Sequence, residues 1–240
     1  MRLEASGASG LRFSDRRLPM KIDRAGYPFI AGALLPALGL ALSRRPGLSV
    51  PFALLGGFFA YFFRDPDRGI PTEPGIVVSP ADGKVMVAGP ADPRWAPPGK
   101  WNQVTIFLSP LDVHMNRAPV GGRITRIEYR PGKFLPAYKQ EANDNELNEI
   151  WIESEGRTFV VRQVVGVLAR RIVCRVHEGD EAALGERIGL MKFGSRMDVF
   201  MPTDLEILVS VGQHVVAGES ILARDRSRVR MRATEAVAHA

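Results

Sequence analysis

The sequence is poor in cysteine and histidine, and this limits the chemistry that it can carry. Its 240 residues include one cysteine, Cys174, so an intrachain disulfide and a cysteine-based metal cluster are both excluded. Cys174 lies in a strand-like run and is predicted to be a small buried residue. The four histidines, His114, His177, His214 and His239, show no spacing typical of metal ligands, and we predict no metal site.

The chain also lacks the pattern of a cleaved signal peptide, which is one apolar core followed by small residues near the start. Instead, a basic N-terminal segment, residues 1–24, precedes two apolar arms, Tyr27 to Leu42 and Gly47 to Phe63. The arms predict a hydrophobic helical hairpin over residues 25–66. The run from Phe58 to Phe63 is apolar around its whole circumference, which favours a retained membrane anchor over two buried helices. Each arm is slightly shorter than the roughly 20 residues that cross a bilayer, so spanning and re-entrant hairpins both stay open.

Beyond residue 66 few stretches hold a helical period, and short β-branched runs alternate with Gly, Pro and Asp. This texture predicts a mostly β catalytic domain over residues 67–240, with one helix around Tyr138 to Leu147. The predicted strands are Ile76 to Val78, Lys84 to Ala88, Gln103 to Leu108, Arg123 to Tyr129, Glu149 to Glu153, Thr158 to Val167, Arg171 to Val176, Ile188 to Phe193, Met197 to Met201, Leu205 to Val209 and Ser220 to Ala223.

The charge balance indicates an anionic partner. Lys and Arg number 32 against 26 Asp and Glu, a net charge of +6. Such an excess suits nucleic acid or an anionic membrane surface. The sequence has no aromatic stacking motif and no recognition helix, so we predict no nucleic acid partner and favour the membrane.

A Gly-Ser pair, Gly194-Ser195, lies between two apolar strand-like runs. A β-turn or bulge is one interpretation of such a pair. The other is chemical: Gly194 allows a strained backbone in which the Ser195 hydroxyl attacks the preceding carbonyl and cuts the chain. The resulting ester can lose its acyl group by β-elimination, leaving a dehydroalanine that hydrolyses to a pyruvoyl group and ammonia. That carbonyl would act as an electron sink built from the chain itself.

Three further runs carry polar residues at strand ends. His114 follows the apolar run that ends at Leu108, and it either binds backbone in a loop or moves a proton for Ser195. Asp82-Gly83 predicts a hairpin turn, and Asp82 could also orient His114 as the acid of a triad does. The run from Gln163 to Val173 is predicted to be core, except for Arg170 and Arg171, which could face a phosphate or the membrane.

Taken in order, the runs around Asp82, His114, Gln163 and Gly194-Ser195 closely resemble the short prokaryotic phosphatidylserine decarboxylase proenzymes. The resemblance covers most of the chain from Asp65 onward. It implies self-cleavage between Gly194 and Ser195 into a β chain, residues 1–194, and an α chain, residues 195–240, that stay associated. By the same resemblance, Asp82, His114 and Ser195 are the catalytic acid, the histidine and the pyruvoyl serine.

The resemblance also implies the reaction. Phosphatidylserine in the membrane would form a Schiff base with the pyruvoyl group derived from Ser195, lose carbon dioxide and be released as phosphatidylethanolamine. His114 is the expected proton donor or acceptor. The enzyme is expected at the cell membrane, with its catalytic domain on the cytoplasmic side. The α and β chains are expected to form a heterodimer, and whether such heterodimers assemble further is left open.

One departure and three alternatives accompany this interpretation. Longer family members have a second histidine three residues after the first, where this sequence has Arg117, so the division of roles between Asp82 and His114 stays open. A biotinyl- or lipoyl-like carrier is disfavoured because the Val211-Gly212 turn follows Lys192 instead of preceding it. A serine hydrolase would lack its Gly-x-Ser-x-Gly elbow, and a membrane-anchored nucleic-acid-binding protein ranks last.

Overall fold

In the computed structural model, residues 21–43, 45–138, 140–167, 171–192 and 195–226 are described. Within them the α-helices are α1 (Tyr27–Leu42) and α2 (Pro46–Phe62), and 3₁₀ turns lie at Arg24–Gly26 and Gln140–Asp144. The strands are, in chain order, β1 (Lys21–Ile22), β2 (Arg64–Asp65), β3 (Ile76–Val78), β4 (Gly83–Pro90), β5 (Asn102–Leu108), β6 (Met115–Arg117), β7 (Gly122–Arg130), β8 (Leu147–Ser154), β9 (Arg157–Val165), β10 (Ile172–Cys174), β11 (Glu181–Ala182), β12 (Arg187–Met191), β13 (Ser195–Met201), β14 (Glu206–Ile207), β15 (His214–Val215) and β16 (Ile221–Arg224).

The helices α1 and α2 form the predicted hairpin, and each bound agrees with the prediction to within one residue. The two helices approach closely at Gly56, where a Cβ would lie 2.5 Å from Leu34 Cδ2. Most of the remaining apolar surface faces outward, including Leu35 and Leu54. The segment Arg24–Leu42 is long and apolar enough to cross a membrane, whereas α2 is shorter. Surface of this kind is what a bilayer would cover.

The largest sheet has eight strands in the order β11-β7-β8-β9-β13-β5-β4-β15, with antiparallel neighbours throughout. Successive residues of a strand point to opposite faces. In β13, Met197 and Val199 belong to the apolar core. Ser195 shares their face, and Arg196 and Asp198 lie on the other one.

The face opposite the core carries a row of buried charges that fixes β13 between its neighbours. Arg162 of β9 donates to Glu149 of β8 at 2.6 Å, and Thr105 of β5 donates to Asp198 of β13 at 2.9 Å. Arg162 Nη1 and Asp198 Oδ2 are 4.0 Å apart. Because buried charges need partners, this row specifies the register of four adjacent strands.

Two smaller sheets, β10-β12-β6 and β14-β16-β3, pack against the core face of the large sheet. They supply Ile188, Val77 and Leu222 to the same apolar cluster. At Gly189 of β12, a Cβ would lie 2.8 Å from Gln163 Nε2 on β9. Glycine at this position therefore allows β12 to approach the large sheet closely.

The β-rich body and its preceding hairpin confirm the predicted fold class. The helix predicted from Tyr138 to Leu147 is wrong: only a 3₁₀ turn forms, and Leu147 already begins β8. The side chain of Asn145 explains the difference. It binds both backbone groups of Leu135 and the carbonyl of Val165, bonds that compete with a helical ladder. The division of the chain at residues 24 and 66 stays a prediction, since residues 1–20 and 227–240 lie outside the described ranges.

Candidate active site

The ends of four adjacent strands meet at one end of the large sheet. Ser195, the first residue of β13, pairs with Leu108 at the end of β5 and with Val165 at the end of β9. Lys84, near the start of β4, pairs with Phe107, the residue before Leu108 in β5. The segments that adjoin these strand ends, which include the predicted Asp82 and His114, therefore share one end of the sheet with Ser195.

Ser195 has a buried side chain on the core face, with no exposed surface. Its Oγ has no hydrogen-bond partner among the described residues. Leaving a buried hydroxyl unsatisfied costs about 1–3 kcal/mol, and nearly all buried polar groups are paired. Gly194 and Phe193 lie outside the described residues, so the predicted turn at Gly194-Ser195 stays a prediction.

His114 is fully buried just before β6. Its Nδ1 lies 2.9 Å from the backbone carbonyl of Asp112. A carbonyl can only accept, so Nδ1 carries the proton and Nε2 is the basic nitrogen. Burial lowers the pKa of His114 to about 4, and the nearby Arg64 adds to the lowering while Asp112 opposes it. The imidazole is therefore neutral at physiological pH, as a proton acceptor must be.

Two contacts bring the surroundings of His114 and Ser195 together. The amide of Met191 donates to the carbonyl of His114 at 3.3 Å, and Met191 is four residues from Ser195, at most about 14 Å along the chain. Gln163 of β9 donates to Asn116, two residues after His114, at 2.8 Å. Gln163 also pairs with Met197, two residues after Ser195. The histidine and the serine thus flank the same contact between the two sheets.

Asn116 is a polar residue of this region that the sequence analysis passed over. It is fully buried, and its Nδ2 has no acceptor among the described residues, although Oδ1 is bound by Gln163. Asn148 donates to Gln163 Oε1 at 3.0 Å, which fixes the orientation of the Gln163 amide. The sequence motif from His114 to Arg117 contains Asn116. The local sequence does not distinguish this asparagine from one that lies in an ordinary turn.

Asp82 has partners other than His114. Its carboxylate accepts from Arg68 Nη2 at 2.8 and 3.0 Å and from the amide of Ala217 at 2.8 Å. Within the described ranges no hydrogen bond joins Asp82 to His114, whose Nδ1 is bound to Asp112 instead. The role of Asp82 as orienter of the histidine therefore stays a prediction.

The hairpin turn predicted at Asp82-Gly83 is wrong, because β3 and β4 belong to different sheets. Gly83 is needed for another reason. It has a φ of +150°, and a Cβ there would lie 2.1 Å from the carbonyl oxygen of Phe107. Glycine thus allows β4 to start directly against β5, and the residues around Asp82 form a bend between two sheets.

Arg117, where longer relatives of the resembled type have a second histidine, lies in a buried cluster of charges. Its guanidinium donates to the carbonyls of Gly185 and Pro66 and lies 3.6 Å from Asp65. Burial lowers its pKa, with the neighbouring Arg187 next in effect. Arg117 is therefore held by backbone carbonyls and a carboxylate, and it offers no proton for transfer near pH 7.

Lys192 lies at the junction of the hairpin and the body. Its Nζ is 5.0 Å from the ring centroid of Phe29 in α1, and it stands three residues before Ser195. Burial lowers the pKa of Lys192, and the neighbouring charge of Arg171 adds to this. The charge of Asp23 acts in the opposite direction on the pKa of Lys192. Arg170, the other member of the predicted arginine pair, lies outside the described residues.

The residues suit a pyruvoyl group made from a serine, because the structure offers a buried, unsatisfied serine hydroxyl at a strand start. No three His, Cys, Asp or Glu side chains converge as metal ligands within the described part of the chain. His177 and His214 are largely exposed, with side-chain nitrogens 3.5 Å from Asp180 Oδ2 and 3.2 Å from Asp112 Oδ1.

Comparison with known proteins agrees with the resemblance. The model of the phosphatidylserine decarboxylase family matches residues 55–223, which include Asp82, His114 and Ser195. Three phosphatidylserine decarboxylase proenzymes are similar over most of their length. That of Solibacter usitatus is 44% identical over 210 residues, covering 87% of this chain and 99% of the relative. That of Azorhizobium caulinodans is 44% identical over 218 residues, covering 88% and 91%. That of Mycolicibacterium smegmatis is 43% identical over 207 residues, covering 83% and 87%.

These matches include the end of the hairpin as well as the β-rich body, which neither the carrier nor the hydrolase interpretation accounts for. The chain therefore belongs to the phosphatidylserine decarboxylase family, carboxy-lyases made as proenzymes that carry a pyruvoyl group derived from a serine.

Proposed function

We propose that Ser195 is the serine that this proenzyme converts to its pyruvoyl group, by cutting the bond between Gly194 and Ser195. The observation that carries the proposal is the Ser195 hydroxyl, which is buried and has no partner among the described residues. A hydroxyl whose only role is structural would be expected to have a partner. The unsatisfied state instead suits a nucleophile that is ready to react.

In the proposed processing step the Ser195 Oγ attacks the carbonyl carbon of Gly194, and His114 Nε2 accepts the hydroxyl proton. The Gly194–Ser195 peptide bond breaks and the proton passes to the Ser195 nitrogen, which leaves an ester. Removal of the Ser195 Cα proton then expels the Gly194 carboxylate. Hydrolysis of the resulting dehydroalanine consumes one water and releases one ammonia.

His114 is the proposed proton carrier because its neutral state and tautomer suit the task. The low pKa of about 4 keeps Nε2 unprotonated at neutral pH, and the bond to Asp112 keeps the proton on Nδ1. After processing, the same nitrogen would protonate the substrate carbon from which carbon dioxide has left. The pyruvoyl carbonyl supplies the electron sink for that step.

Asp82 is proposed to support the site from a distance. Its carboxylate binds Arg68 and the amide of Ala217, and thereby holds a segment of the α chain against a segment of the β chain. This interpretation gives Asp82 a part in processing that requires no contact with His114.

The α and β chains would stay together after the cut because strands cross between them. From the proposed α chain, β13 pairs with β5 and β9, β15 pairs with β4, and β16 pairs with β3. Every one of those partners belongs to residues 1–194. The backbone ladders, in addition to the shared core, would therefore hold the two products as one heterodimer.

The substrate is proposed to reach the site at the base of the hairpin. The headgroup of phosphatidylserine stays at the bilayer surface. Lys192 lies beside the first helix, and the charge of Arg171 is close enough to lower the pKa of Lys192. Their charges suit the lipid phosphate. The basic residues before α1, including Lys21 and Arg24, favour the cytoplasmic side for the body by the positive-inside rule. Protease added to sealed inverted membrane vesicles should then digest the body, whereas digestion only from the opposite side would contradict this.

The decisive experiment is an intact mass spectrum of the purified chain beside a Ser195→Ala variant. Wild type should give two fragments that meet at Gly194 and Ser195, the second with a blocked, pyruvoyl-bearing start, while the variant stays whole. The cut protein should then release carbon dioxide from phosphatidylserine. A wild-type chain that remains uncut yet decarboxylates the lipid would overturn the assignment of Ser195.

A further inference from the structure

The base of the membrane hairpin reaches the residue proposed to carry protons. Phe62, the last residue of α2, is fully buried, and its ring centroid lies 4.2 Å from that of the His114 imidazole, at an interplanar angle of 33°. Phe62 also packs with Phe63 and Leu190 in a small apolar cluster apart from the main core. One wall around the histidine is thus supplied by the anchor and not by the β-rich body.

The end of α2 is fixed to the body by polar contacts of the two residues that follow Phe62. Arg64 donates to the carbonyl of Leu111, in the loop that leads to His114, at 2.8 Å. The amide of Asp23 donates to the carbonyl of Phe63 at 2.9 Å, and the Asp23 carboxylate pairs with Arg175 at 2.7 Å. The backbone that carries Phe62 is therefore fixed by contacts other than the packing of its ring.

An aromatic wall of this kind affects the histidine in two ways. It limits rotation of the imidazole, and it excludes water, which disfavours the charged form. Within the described part of the chain, the charged groups that act on His114 are Asp112 from its own loop and Arg64 from the hairpin base, and they shift its pKa in opposite directions. Burial, which is the largest cause of the lowered pKa, therefore depends in part on Phe62.

We propose that Phe62 is a positioning residue for His114, so that the membrane hairpin forms one wall of the active site in addition to anchoring the enzyme. The inference rests on the proposed role of His114 in proton transfer. It predicts that damage at the base of the hairpin changes processing even in detergent, where anchoring to a bilayer plays no part.

The test measures the rate of self-cleavage from about pH 3 to pH 8.5 in detergent, a range that includes the pKa of about 4 of His114. It compares wild type, Phe62→Ala, Phe62→Leu and the control Phe52→Ala. Phe52 lies on the same helix and is 38% exposed, whereas Phe62 is fully buried, so the control removes the same atoms away from the site. Phe62→Ala should slow cleavage about tenfold or more at neutral pH and move the acid limb of the profile up by about 1–2 pH units. Phe62→Leu should keep the wild-type acid limb with a reduced rate, and Phe52→Ala should match wild type.

The outcomes separate this inference from the proposed function. If Phe62→Ala keeps both the rate and the pH profile while His114→Gln stays uncut, Phe62 has no positioning role and the role of His114 stands. If His114→Gln is cut at the wild-type rate, the role of His114 fails and this inference with it. If Phe62→Ala does not fold, Phe62→Leu decides: an unchanged rate overturns the proposal, and a reduced rate with the wild-type acid limb supports it.

Discussion

The imidazole of His114 donates its Nδ1–H to the backbone carbonyl of Asp112 at 2.9 Å. Asp112 is in turn held by its own carboxylate, which accepts from the amide of Ser109 at 2.7 Å and lies 3.2 Å from His214 Nε2. A short loop thus fixes both the tautomer and the direction of the histidine through a backbone carbonyl. Nε2 is therefore the basic nitrogen of the ring, and the proposed proton transfer uses it.

Replacing His114 should stop processing. His114→Gln keeps a polar side chain of similar size but removes the basic nitrogen, and general-base catalysis contributes typically 10²–10⁴-fold. We expect self-cleavage to slow by about 100-fold or more, measured as the fraction of cut chain over time on denaturing gels. The matched control is His177→Gln, since 87% of the His177 side chain is exposed. Cleavage of His114→Gln at the wild-type rate would show that another group takes the proton.

The buried neutral histidine should also make stability depend on pH. The pKa of His114 is about 4 in the folded chain against 6.5 in the unfolded one, so between these values the unfolded chain binds the extra proton. The contribution of His114 to the free energy of unfolding should therefore be fully present above pH 6.5. It should fall by about 3 kcal/mol as the pH drops to 4.

Denaturant titrations of the uncut Ser195→Ala precursor would measure this component. The same titrations with His114→Gln added provide the control, because carboxylates titrate equally in both chains. The stability difference between the two should shrink as the pH falls from 6.5 to 4. A difference that stays constant over this window would mean that the histidine is not buried in its neutral form.

Asp82→Asn should weaken the fold near the site and slow processing. The ion pair of Asp82 with Arg68 is mostly buried, with side chains 11% and 13% exposed, and breaking such a pair costs about 3 kcal/mol. We expect a lower midpoint of thermal unfolding in the Ser195→Ala background and at least about tenfold slower cleavage in the otherwise native chain. Asp204→Asn removes an exposed partner of Arg157 and serves as the control. If a folded Asp82→Asn chain cleaves itself at the wild-type rate, Asp82 has no role in processing.

Lys192→Gln should weaken substrate binding more than turnover. Loss of one charge-assisted contact to a phosphate is worth about 1.4 kcal/mol, so KM for phosphatidylserine in mixed micelles should rise about tenfold while kcat of the cut enzyme changes little. Lys100→Gln, at an exposed lysine of the body, is the matched control. If KM is unchanged and kcat falls instead, Lys192 acts on the chemistry and does not bind the lipid phosphate.

Local pattern determined much of this protein from its sequence alone. The hairpin bounds followed from two apolar arms, and most strand positions followed from β-branched runs between Gly, Pro and Asp, because side-chain periodicity encodes secondary structure directly. The order of the Asp82, His114 and Ser195 motifs pointed to the family that the comparisons then established. The 3₁₀ turn at Gln140–Asp144 escaped prediction because the Asn145 bonds that shape it reach residues ten and twenty positions away.

The tertiary structure alone decided which groups meet. In the folded chain Asp82 binds Arg68, and the His114 ring binds the carbonyl of Asp112. Phe62 of the hairpin packs against the His114 ring although it is 52 positions away in the sequence. Such contacts depend on which strands pair and how sheets stack, and no local propensity encodes that. Sequence motifs therefore identified the reacting serine and histidine as candidates, whereas burial and long-range packing determined the protonation state in which the histidine can act.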